Sequence, residues 1–133
     1  MRFVVMAATI VVLAALGARA QDAEIRGVIA KQFQSFELDD FATAFTFASP
    51  KLQSFFQTPD NFGRMIAQGY SMVLGPSAVE YLGLRAEGEV YWQTVQITDD
   101  SGRFHLLEYQ MLETQSGWRI NGVQLMNLPA GSV

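Results

Sequence analysis

Cysteine is absent from this chain, which excludes disulfides and also the N-terminal cysteine that lipid attachment requires. A single histidine, His105, is present. A metal centre would then depend on several carboxylates, and no ligand spacing of that kind occurs. Basic residues are few, 9 against 13 acidic, so there is no basic face with which to neutralise phosphates, and a nucleic-acid partner is not expected. An uninterrupted apolar run of the ~20 residues a membrane span needs is missing too. No recognised catalytic signature appears, and no cofactor is implied.

The N-terminus is more informative. Met1-Arg2-Phe3 is followed by an apolar stretch from Val4 to Leu16 broken only by Thr9, and then by Gly17-Ala18-Arg19-Ala20-Gln21. A short basic segment, an apolar segment and an Ala-x-Ala site are the three parts of a secretory signal. Residues 1–20 are expected to be removed after Ala20, leaving 21–133 as one domain in the periplasm or outside the cell, with no membrane attachment. Arg2 and Arg19 leave with the signal, so the remaining chain is more acidic than the −4 of the whole.

Beyond the signal, Ile25, Val28, Ile29, Phe33 and Phe36 form one helical stripe, with Asp22 placed to cap it. Phe41, Ala44, Phe45 and Ala48 restart the pattern behind Asp40 as N-cap. Ser49-Pro50 and Thr58-Pro59 are two further helix starts, each a capping hydroxyl before a proline whose missing N–H costs nothing there. They open a short turn from Leu52 to Phe56 and a helix carrying Phe62, Met65 and Ile66, which Gly69 is expected to end in a left-handed cap. From Gly75-Pro76 the period changes to alternation. Strands are predicted over 79–86, 89–98, 104–113 and 118–126, joined by a tight turn at Glu87-Gly88 and by two four-residue turns ending in Gly102 and Gly117. The tail, 127–133, has little to pack and is expected to fray.

Helices followed by an antiparallel meander predict an α+β domain: N-terminal helices on a curved four-stranded sheet. Gly83 and Gly122, inside strands, mark bulges or bends that curve it. A cavity is then expected at the open end of this cone.

The step Asp39-Asp40-Phe41 and the closing Gly117-Trp118-Arg119-Ile120, in this order of elements, resemble the nuclear-transport-factor-2-like (cystatin-like) superfamily. More narrowly, Asp39 to Phe45, Phe62-Gly63-Arg64-Met65, Gly69 to Val73 and Trp118 to Val123 resemble a bacterial exported family known as domain of unknown function 4864. The resemblance implies the fold and no function, because the superfamily holds isomerases, dehydratases, binding proteins and non-catalytic partners. Its isomerases and dehydratases use an Asp or His base with a tyrosine or another donor inside the cavity. No Asp of this chain falls in a predicted strand.

His105 shares a strand face with Leu107, Tyr109 and Met111. At a cavity mouth it suits general-base work; at a strand end it suits an ordinary hydrogen-bonded or solvated role. Glu108 lies on the opposite face. Asp39-Asp40 and Asp99-Asp100 occupy turn and cap positions, where short carboxylates bond local N–H groups. Tyr70 follows the third helix and is placed at the cavity rim. Trp92 alternates with Thr94 and Gln96, opposite Tyr91, Val95 and Ile97, as an outer-face aromatic suited to a homodimer or an envelope-protein partner. Asn121 stands where a bulge near Gly122 decides which side of the last strand points inward; it bonds across the bulge or reaches a ligand. Tyr70, His105, Tyr109 and Asn121 are the ligand-binding candidates. Without a convincing acid–base set, the expected function is non-catalytic binding of a small apolar ligand or a protein. The competing expectation is an isomerase- or dehydratase-type enzyme with His105 as base and Tyr70 or Tyr109 as donor.

Overall fold

A computed structural model describes residues 2–126, with side chains from residue 17 onward. The tail expected to fray and the side chains of the signal's apolar segment lie outside the described residues. Helix α1 (Arg2–Glu37) is followed by α2 (Phe41–Thr46), α3 (Pro50–Phe56), α4 (Pro59–Gly69) and a 3₁₀ turn, Ser71–Val73. Strands β1 (Ala78–Glu87), β2 (Val90–Thr98), β3 (Phe104–Thr114) and β4 (Gly117–Met126) then form one antiparallel sheet in sequence order. The fold is the α+β arrangement expected, helices first and a curved, open four-stranded sheet after. Among the described residues no helix is both long and apolar enough to cross a membrane.

Three of the four expected caps are made. Asp40 accepts from Thr43 N–H, Ser49 from Leu52 N–H and Thr58 from Asn61 N–H, the last two with proline at the first helical turn. Each such cap contributes about 1 kcal/mol. Asp22 is the exception. Helix α1 already begins at Arg2 and passes through it, because the Ala- and Leu-rich segment before it is itself helix-forming; Asp22 instead faces Arg26 one turn on, at 3.9 Å. Gly69 also departs from expectation. It is the last residue of α4 with no positive φ, and Tyr70 (φ −138, ψ 36) ends the helix, donating its N–H to Ile66 O. A left-handed glycine is unnecessary because the chain passes directly into the 3₁₀ turn, whose hydrogen bonds run from Val73 N–H to Tyr70 O and from Leu74 N–H to Ser71 O.

Ile25, Ile29, Phe33 and Phe36 of α1 are buried against the concave sheet face, which presents Val95, Ile97, Leu107, Tyr109 and Met111. Phe62 joins the helices: its ring lies 5.4 Å from Phe45, 5.7 Å from Phe56 and 6.0 Å from Phe36. Two bulges bend the sheet, between Tyr81 and Leu84 on β1 and opposite Gln110–Met111 on β4. At the first, the buried Gln93 amide donates to Leu82 O (3.2 Å) and Gly83 O (3.3 Å), pairing carbonyls that the ladder leaves free. At the second, Asn121 is the extra residue. Trp118 and Ile120 point inward before it; Val123, opposite Tyr109, points inward after it. A single added residue reverses the alternation.

Candidate functional site

Between the helices and the concave face lies an apolar cavity of about 230 Å³. Phe36 of α1, Leu52 and Phe56 of α3, and Phe62, Met65 and Ile66 of α4 form its helical walls; Tyr109, Ile120, Gly122 and Val123 form the sheet side. Three residues bring polar atoms to this surface: Gln32, Tyr70 and Tyr109. The tight link between α3 and α4 positions the aromatic wall. Gln57 adopts φ 71, ψ −42, and Thr58 N–H donates back to Phe56 O at 2.9 Å. This three-residue turn is uncommon for a side chain with a Cβ, and it swings Phe56 onto Phe62.

Tyr109 is only 2 % exposed. No hydrogen bond from any described residue reaches its hydroxyl, and burial, followed by the nearby Tyr81 and Tyr70, pushes the phenol far above the ordinary tyrosine range. It is therefore a neutral donor on an apolar surface. Tyr70, where α4 ends, donates its hydroxyl to Val123 O at 3.0 Å and so ties the helical wall to β4 just past the bulge. Gln32 donates through Nε2 to Ala44 O at 3.1 Å, which leaves its carbonyl oxygen available. Gln32 was not among the residues expected from sequence. The signal for it is that it falls seven residues after Ile25 on the apolar stripe, a polar side chain on a face that is otherwise buried.

His105 lies elsewhere. With Asp99 and Ser71 it borders a separate, open groove beside the β2–β3 turn, and Nε2 is 2.8 Å from Asp99 Oδ2. His105 and Tyr109 share a strand face but stand four residues apart, ~13 Å at strand rise, and the 3₁₀ turn contributes Val73 to the cavity and Ser71 and Met72 to the groove. The geometry thus corrects the reading of a histidine and a tyrosine acting as an acid–base pair in one cavity. Asp99 serves the turn: Oδ1 accepts from Ser101 N–H (2.9 Å), Ser101 Oγ (2.6 Å) and Arg103 N–H (3.0 Å). The Ser101 and His105 side-chain bonds are the main reasons its carboxyl is held well below the usual aspartate range.

Asn121 does not line the cavity; it stands behind the wall, donating to Gln110 Oε1 at 2.7 Å and accepting from Ser49 Oγ at 2.7 Å. Of the two roles open to it, the geometry is that of bonding across the bulge. Trp92 is on the outer sheet face, opposite Arg85 and Gln110. Its ring is half-buried beneath the Arg85 guanidinium at 5.5 Å, and Arg85 is in turn held by Glu108 at 2.7 and 3.3 Å. The outer face therefore presents a covered aromatic rather than a bare one. Among the described residues no group of three or more His, Asp or Glu is arranged to hold a metal ion.

The family described as domain of unknown function (DUF4864) matches residues 18–133 of the chain. No curated protein matches it.

Proposed function

The chain belongs to the family described as domain of unknown function (DUF4864), a description that assigns no activity, and we propose from its cavity that it is a non-catalytic binding domain for a small, largely apolar molecule. The observation that carries this reading is the Tyr109 hydroxyl, which meets no hydrogen-bond partner among the described residues and stands on the wall of an apolar cavity. A ligand with an apolar body and one hydroxyl offers an acceptor to the Tyr109 hydroxyl or a donor to the Gln32 carbonyl. A dry cavity of ~150 Å³ takes benzene. On that scale about 230 Å³ suits roughly nine carbon atoms.

The domain is further read as a member of the nuclear-transport-factor-2-like superfamily that acts after export, as residues 21–133, in the periplasm or outside the cell. Helices laid in the hollow of a bulged four-stranded meander support the first part. The Ala-x-Ala site and a family match that starts at residue 18 support the second.

Native mass spectrometry on the mature protein, isolated gently from its own envelope fraction, tests the function. An added small-molecule mass on the wild type that disappears in Ile66→Trp, whose larger ring occupies the cavity and whose folding a circular dichroism melt verifies, is the expected result. A wild type that carries no added mass and binds no apolar probe such as 1-octanol overturns it. The same spectrum reports a second copy or another protein, the occupant that the outer-face reading of Trp92 calls for.

A further inference from the structure

The cavity has a polar annex. On the outer side of α4 a shallow cleft is bordered by Asn61, Arg64, Met65, Gln68, Gly69 and Tyr70. Met65 and Tyr70 also line the apolar cavity, so one pair of side chains forms the partition between the two spaces. Across it, the polar side chains are neutral or positive: two amides and the Arg64 guanidinium, with no carboxylate. Arg64 is exposed, donates to Asn61 Oδ1 at 2.8 Å, and takes part in none of the ion pairs among the described residues. Asn61 is itself fixed, because its Nδ2 donates to Phe56 O at 2.8 Å and its N–H to Thr58 Oγ1 at 3.1 Å. The guanidinium is thereby held over the cleft with its remaining donors free. In a chain with an excess of acidic residues, Arg64 stands beside an apolar cavity in a cleft that no carboxylate borders, with Asp60 one turn earlier on α4.

We infer that the molecule held in the cavity is an amphiphilic monocarboxylate, its apolar body inside and its carboxylate passing between Met65 and Tyr70 to the Arg64 guanidinium. This inference rests on the cavity reading above and adds the chemical class of the ligand. Arg64 supplies a forked donor pair that matches a carboxylate. Tyr109 and Gln32, on the surface of the apolar cavity itself, offer a donor and an acceptor to a second oxygen, so a hydroxy acid of about eight or nine carbons uses both polar sets.

Three probes separate the claims: 1-octanol, octanoate and 8-hydroxyoctanoate, titrated calorimetrically at neutral pH into wild type, Arg64→Gln and Tyr109→Phe. The inference expects both carboxylates to bind more tightly than 1-octanol, and Arg64→Gln to weaken them roughly two- to fivefold, the range of an exposed charge pair, without affecting 1-octanol. Tyr109→Phe should weaken 8-hydroxyoctanoate and leave octanoate unchanged. If 1-octanol binds as well as octanoate and Arg64→Gln changes neither, the carboxylate assignment is overturned and the apolar cavity stands. If none of the three binds, the cavity reading falls with it. Arg64 is solvent-exposed and outside the core, so its substitution leaves the fold intact; a circular dichroism melt superimposable on that of wild type verifies this.

Discussion

Ser49 Oγ donates to Asn121 Oδ1 at 2.7 Å, joining the start of α3 to the residue that bulges out of β4. The same stretch makes a parallel bridge to the strand edge, Ser49 N–H to Ile120 O and Ile120 N–H to Phe47 O, both at 2.8 Å. The edge of β4 is thus partly covered by the α2–α3 connection. The wall of the cavity is fixed at the point where the strand changes which face it turns inward.

Asn121→Ala should lower stability by about 1–3 kcal/mol, because Ser49, fully buried, and Gln110 each lose a partner. Urea unfolding measures the loss. Ser49→Ala, which also removes the α3 cap, should cost a comparable amount, and the double variant less than the sum, since both remove one shared bond. Strict additivity would show that the two side chains act independently.

Tyr109→Phe should leave the ligand-free domain as stable as wild type or slightly more so, since it removes a hydroxyl that has no protein partner. Its pH dependence has a definite sign. The buried phenol ionises at higher pH in the folded than in the unfolded chain, so its titration leaves stability unchanged below pH about 10 and lowers it as pH rises beyond that. Tyr81, also raised by burial, acts in the same direction. Denaturant melts from pH 8 to 11 should show wild type losing stability above pH about 10 more steeply than Tyr109→Phe.

Asp99 has the opposite sign. Its carboxyl is held low by hydrogen bonds from Ser101 and His105, so the stability it contributes is present above the ordinary aspartate value and is lost as pH falls through and below about 4. Asp99→Asn should be less stable at pH 7 and show a flatter acid limb. An acid-unfolding curve with the same slope as wild type would contradict the assignment.

Gly69→Ala should stabilise the domain by about 0.4–1 kcal/mol, because the glycine is helical and an added Cβ meets nothing within 4 Å. A left-handed glycine at this site would give the reverse. Gly63→Val is the contrasting case. A Cβ there lies 3.1 Å from Phe41 Cδ1 and 3.3 Å from Phe41 Cγ, and a branched side chain at this packed position should cost about 1–3 kcal/mol. Thermal melts of the two variants should move in opposite directions.

Much of the architecture is readable along the chain because its causes are local. Ser49-Pro50 and Thr58-Pro59 announce α3 and α4 through hydroxyl caps and a proline that needs no partner; the strands are within one residue of where alternation predicts them. In the whole chain the start of α1 is misread from Asp22, because the helix already runs into it from Arg2 and a cap residue signals a helix start only where no helix precedes it. Gly69 is misread because glycine permits a left-handed cap without requiring one.

The sequence by itself determined an α+β order, the stripe that faces the sheet, and which residues of β2 and β3 share a face, with Tyr109 beside His105, Leu107 and Met111; which of the two faces is concave only the structure decided. Those first three follow from a period of 3.6 or 2 or from a side chain bonding its own backbone. Only the tertiary structure decided that Tyr109 and Gln32 share a cavity from which His105 is excluded, that Asn121 bonds Ser49 rather than facing the cavity, and that Arg64 stands beyond the Met65–Tyr70 partition. Those relations join residues far apart in the chain. They depend on where the bulges curve the sheet and on how the rings around Phe62 fill the space beneath it, which no local period records.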